Sequence, residues 1–157
     1  MLYRRVQSGV GQRFSGEFAY RNSPVVSLFS MDKLTTHTDA RGSLTIVEAQ
    51  KDFPFSIDRV YWLHSVPAGA ERGYHASRSC YEYLVAMSGC VEVVLEDKTG
   101  RRSYQLSKKD EGLIVPPYTW IELKHFSADA VLLVLASDGY QPEMYINDYA
   151  TFCETLH

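Results

Sequence analysis

The sequence predicts an all-β chain, a jelly-roll β-sandwich or barrel closed by one short C-terminal helix. Three observations carry that expectation. Short β-branched or aromatic segments recur about every 8–12 residues from Val25 onward, and glycine-bearing turn signals separate them. Apolar residues fall at helical spacing only near the C-terminus.

Residues 1–24 scatter Gly, Ser, Arg and Asn among few apolar residues with no sustained period. They read as an extended N-terminal arm, ordered only if something else holds it. Residues 25–157 read as a single domain. Its strand candidates begin with VVSLF, SLTIVE (Ser43–Glu48) and RVYWLHSV (Arg59–Val66), followed by YEYLVAM (Tyr81–Met87) and VEVVLED (Val91–Asp97). RRSYQL, EGLIVP, TWIEL and AVLLVLAS continue in the same style. Asp39–Gly42, Ser88–Gly89 and Glu96–Gly100 put glycine where a turn needs a positive φ. Pro116–Pro117 lacks two backbone donors and belongs between strands or at an edge. Tyr145, Ile146, Tyr149, Phe152 and Cys153 predict a helix within Glu143–Leu156.

Composition narrows the function classes. At 157 residues with 45% apolar residues, the chain can bury one real core. A net charge of −3 argues against an electrostatic nucleic-acid binder. No apolar run approaches the roughly 18 residues of a membrane span, and MLYRRVQSGVGQRF lacks the apolar stretch of a secretory signal. Cys80, Cys90 and Cys153 form neither a disulfide framework nor a CxxC motif, so the expected setting is the reducing cytoplasm. Eleven of the aromatic residues are tyrosines, whose apolar ring and polar tip suit β-packing and polar-ring ligands alike.

The chemistry-bearing residues gather around His75. Gly69, His75, Ser77, Glu82 and Gly89 space out as G-x5-H-x-S-x4-E-x6-G, which resembles the first cupin motif with Ser77 in place of a second histidine. His75 and Ser77, two apart on a strand, should share a face, and Glu82 should join them from the adjoining strand. A second motif is expected at Gly112-x3-Pro116, but Ile121 follows Trp120 where a histidine would stand. His75 and Glu82 alone would hold a divalent metal weakly, and His125 could join them only if no bulge intervenes. No cofactor is expected.

DARGSLTIVEAQKDFPFSIDRVYWL, RGYHAS, YLVAMSGCVEVVLED, GLIVPPYTWIEL, FSADAVLLVLASDGY and YINDY resemble the sugar 3,4-ketoisomerases that act on dTDP-4-keto-6-deoxyhexoses. The resemblance implies a metal-free cupin homodimer of deoxysugar biosynthesis with a nucleotide-diphosphate sugar as substrate. It also implies a base that takes the C3 proton and forms an enediol reprotonated at C4. By the RGxHA match, His75 inherits the base role and Arg72 becomes a candidate for the pyrophosphate. Ser77, Glu82, Arg41, Tyr74 and Trp120 complete the candidate substrate-binding set. One of Tyr61, Tyr74, Tyr81, Tyr83 and Tyr118 could supply a proton donor beside His75. Ser77, Glu82 and Ile121 depart from the family's His, Gln and His. A non-catalytic sugar-nucleotide-binding cupin and a metal-dependent cupin enzyme are therefore the alternatives.

Overall fold

The computed structural model describes residues 29–156. The expected arm, most of the VVSLF segment and His157 lie outside the described residues. Twelve strands are present among the described residues: β1 (Met31–Lys33), β2 (Thr35–Asp39), β3 (Gly42–Ile46), β4 (Arg59–His64), β5 (Arg72–Ser77), β6 (Glu82–Ser88), β7 (Val91–Asp97), β8 (Gly100–Leu106), β9 (Glu111–Val115), β10 (Trp120–Lys124), β11 (Val131–Ala136) and β12 (Tyr145–Ile146). One helix, α1, covers Tyr149–Glu154. The strands form two five-stranded sheets, ordered β1-β9-β6-β11-β4 and β12-β5-β10-β7-β8, with β2 and β3 as a separate hairpin. Every strand pair is antiparallel.

Alternation along the strands builds the core. Leu84, Ala86, Leu113, Val115, Leu132 and Val134 point inward from the first sheet and meet Val91, Val93, Leu95, Ile121 and Leu123 from the second. The outer face of the first sheet is covered by Phe53 and Phe55 from the β3–β4 connection, which pack on Tyr83, Val85 and Leu135. Gly112 is required here, because a methyl on it would overlap the Tyr83 ring. On the outer face of the second sheet, Ala76, Trp120 and Ile146 pack against Phe152 of α1.

The all-β reading holds, and the expected turns fall between strands. Two expectations are corrected. The helix predicted within Glu143–Leu156 is broken into a 3-10 turn (Pro142–Met144), β12 and α1. Tyr145 and Ile146 pair with Ser77 and Ala76, and Asp148 then caps α1 by accepting from the Thr151 amide at 2.8 Å. Glu82 does not come from a strand adjoining that of His75. β5 and β6 are consecutive in sequence but lie in different sheets, so the two side chains approach from facing walls.

Candidate functional site

A bulge in β5 sets the position of His75. Ile121 pairs with His75 and Glu122 with Gly73, leaving Tyr74 unpaired between them. Gly73 has φ 83° and Tyr74 φ 60°. A Cβ on Gly73 would stand 2.6 Å from the Ile121 carbonyl oxygen, so only glycine fits this approach of β5 to β10. Past the bulge, His75 shares the inward register of Ile121 and Leu95, while Ala76 turns outward with Trp120.

His75 opens into a cleft of about 420 Å³ lined by Arg59, Tyr61, Tyr140, Pro142, Tyr145 and Asn147. Arg59 and Tyr61 alternate with the outward Val60 and Trp62 on β4, and Tyr145 comes from β12. The His75 ring meets Tyr145 edge-on, with centroids 5.1 Å apart. The guanidinium of Arg59 donates to the Tyr145 hydroxyl at 2.8 Å and lies near the faces of Tyr61 and Tyr140. At the floor, Glu82 is 5% exposed, accepts from the Tyr61 hydroxyl at 2.8 Å and faces Arg59 at 3.9 Å. Burial, then the neighbouring Glu82 carboxylate, push the Tyr61 phenol well above its ordinary range. Burial raises the Tyr145 phenol as well. One imidazole, three phenols and one guanidinium thus line a common space, with the Glu82 carboxylate behind Tyr61.

The other candidate residues are placed differently. Ser77 is buried, and its hydroxyl oxygen accepts from the Cys80 amide at 2.9 Å and the Ser79 amide at 3.4 Å. It holds the turn after β5. Trp120 lies on the opposite face of the second sheet from His75, packed on Tyr149 and Phe152, and its indole donates to Glu122. Trp120 is thus outside the cleft lining and packs against α1. Arg72 and Tyr74 are exposed outside the cleft lining, and Tyr74 donates to Glu71. Arg41 sits at the tip of the β2–β3 hairpin, paired with Asp39 at 2.5 Å. His125 is exposed and bonded to Glu92, so it does not join His75. Among the described residues, no three His, Cys, Asp or Glu side chains converge as a metal-holding group.

Arg59, Tyr140, Tyr145 and Asn147 escaped the sequence reading. Arg59 and Tyr61 carried one available signal, since polar residues at alternate positions of RVYWLH must share a face. Tyr145 carried none, because helical spacing assigned it to a different element.

Two antiparallel sheets packed face to face, with an inward histidine opening to a cleft at one end, define a cupin-type barrel. The profile of the FdtA: WxcM-like, C-terminal family matches residues 27–157. The TDP-4-oxo-6-deoxy-alpha-D-glucose-3,4-oxoisomerase of Aneurinibacillus thermoaerophilus is 40% identical over 114 residues, which are 73% of this chain and 82% of the relative. The crystal structure of QdtA, a sugar 3,4-ketoisomerase from Thermoanaerobacterium thermosaccharolyticum in complex with TDP, superposes with a TM-score of 0.78 at 31% identity, covering 82% of this chain and 93% of that one. WlaRB, a TDP-quinovose 3,4-ketoisomerase from Campylobacter jejuni, gives 0.79 at 36% identity, with 82% and 99% covered. The chain belongs to the cupin-fold sugar 3,4-ketoisomerase family.

Proposed function

We propose that this protein isomerises a dTDP-linked 4-keto-6-deoxyhexose to the 3-keto sugar, within deoxysugar biosynthesis, with His75 as the carbon base. Membership of a family whose relatives are named for that reaction supports the substrate class. The observation that carries the residue assignment is His75 itself, the one imidazole lining the cleft among the described residues. Neutral His75 takes the C3 proton, and the C3–H electrons form the C3=C4 bond as the C4 carbonyl electrons move to O4. The imidazolium then returns the proton to C4 while O3 becomes the carbonyl. Arg59, a cation lining the cleft, joins Arg72 as a candidate for an anionic oxygen of the ligand.

Incubation with a dehydratase that generates dTDP-4-keto-6-deoxyglucose, a PLP-dependent 3-aminotransferase and an amino donor tests the reading. A 3-amino sugar should form only when this protein is present. Calorimetric binding of dTDP without turnover would favour a non-catalytic sugar-nucleotide binder.

The assembly proposed with this function is a homodimer. The β2–β3 hairpin joins neither large sheet, and Leu44 on it is 62% exposed. β4 is a sheet edge whose outward Val60 and Trp62 are 49% and 57% exposed. A second copy that pairs with such edges covers both liabilities, and the arm at residues 1–24 is the further segment proposed to pack on the partner. A cytoplasmic setting is proposed from the three cysteines, which are free thiols. Among the described residues, no helix is long and apolar enough to cross a membrane.

A further inference from the structure

Moving a ketone from C4 to C3 relocates two protons. The carbon-bound one passes from C3 to C4, and the oxygen-bound one passes from O3 to O4. His75 accounts for the first. The second needs another group that can take a proton from one oxygen and return it to its neighbour. Ser77 is not placed to serve, because its hydroxyl oxygen is engaged by two backbone amides. Ile121, directly across from His75, has nothing to offer a proton. The Tyr145 oxygen accepts from Arg59, and among the described residues no carboxylate hydrogen-bonds to it.

We propose that Tyr61 and Glu82 form the relay for the oxygen-bound proton, with Tyr61 touching the sugar and Glu82 acting behind it as a positioning residue and proton acceptor. The assignment rests on the ketoisomerase reading above. Tyr61 lines the cleft beside His75, and its hydroxyl already donates to Glu82 at 2.8 Å. As the sugar O3–H bond breaks, its proton passes to the Tyr61 oxygen while the Tyr61 proton passes to the Glu82 carboxylate. Reversal of both transfers delivers one proton to O4. Glu82 ends the cycle as a carboxylate, and the sugar's proton count is unchanged.

The placement of Glu82 follows from register. Arg59, Ala136 and Glu82 lie in one row across β4, β11 and β6, and Tyr61, Val134 and Leu84 lie in the next. Tyr61 therefore reaches Glu82 diagonally across β11. Arg59 and Tyr61 on β4, Cys80 before β6 and Tyr145 on β12 are the titratable or charged groups around the carboxylate. An amide at position 82 could hold the Tyr61 hydroxyl in place but could not take its proton. That difference separates a relay from a scaffold.

The test follows dTDP-4-keto-6-deoxyglucose by NMR in D2O with wild type, Glu82→Gln, Tyr61→Phe and the double variant. Deuterium entering at C3 reports the step of His75, and the 3-keto sugar reports the complete reaction. The relay predicts that Glu82→Gln lowers kcat for isomerisation about 10²-fold, leaves KM within about twofold and retains exchange at C3. Tyr61→Phe should behave alike, and the double variant should be no slower than the slower single one. Tyr61→Phe keeps the buried carboxylate and so remains informative if Glu82→Gln folds poorly. Full-rate isomerisation by Glu82→Gln, or equal loss of exchange, affinity and isomerisation, would overturn the relay alone. A wild type that neither isomerises nor exchanges would overturn the ketoisomerase reading, and the relay with it.

Discussion

At the scale of single residues, the inward aim of His75 depends on one extra residue in β5. Tyr74 is left out of the ladder, and the Gly73–Tyr74 pair takes left-handed backbone to allow it. Gly73→Ala would drive a methyl against the Ile121 carbonyl and force this segment to shift. The expected cost is about 1–3 kcal/mol in urea unfolding, accompanied by lost turnover. Ser77→Ala separates a turn from a ligand contact. Leaving the Cys80 amide without its acceptor should cost about 1–3 kcal/mol in the same measurement, with dTDP affinity unchanged. A weakened affinity with unchanged stability would return Ser77 to the substrate. His75 and Glu82 were legible because motif spacing survives whichever sheet a strand joins. The partner of Arg59 was not. Arg59 and Tyr145 are 86 residues apart in sequence, and no local pattern announces a contact of that kind.

Among the elements, α1 is short, yet it backs the wall that carries the site. Phe152 is fully buried against Ala76, Trp120 and Ile146, residues adjacent in sequence to His75, Ile121 and Tyr145. Phe152→Ala should therefore cost about 3–5 kcal/mol in urea unfolding, and it should weaken activity because the wall behind His75 loosens. Most strands were readable from alternation and turns, since half-buried antiparallel strands impose both. The hairpin strand β2 was not, because Thr35–Asp39 is polar throughout and exposed on both faces. β12 was hidden for a different reason. The cleft-lining Tyr145 and the outward-packing Ile146, followed by a capped helix, mimic one longer helical stripe, and only pairing with β5 separates them.

At the scale of the whole molecule, several paired carboxylates favour neutral pH. Burial works to raise Glu122, but hydrogen bonds from Lys124 and Arg101 outweigh it and hold the carboxyl below its usual range. Glu92 is lowered by Ser103 and His125, and Asp148 by the Thr151 amide and hydroxyl it caps. Each group has a lower pKa folded than unfolded. Their stabilisation is therefore complete above the unfolded values of about 4 and is lost as pH falls through the folded ones. Tm should hold between about pH 5 and 7 and fall steeply below about pH 4, a fall that Glu122→Gln should blunt. At the same scale, light scattering should give twice the mass of the chain. Removal of residues 1–24 should lower that mass or the thermal midpoint, and a monomeric intact chain would contradict the dimer.

The most direct test of the account compares wild type with His75→Asn on dTDP-4-keto-6-deoxyglucose in D2O. Asparagine keeps a similar size and hydrogen-bonding capacity without a basic nitrogen. The account predicts unchanged folding and dTDP affinity, with deuterium entry at C3 and 3-keto sugar both slowed about 10²–10⁴-fold. Wild-type exchange in His75→Asn would place the carbon base elsewhere in the cleft and contradict the account at its centre.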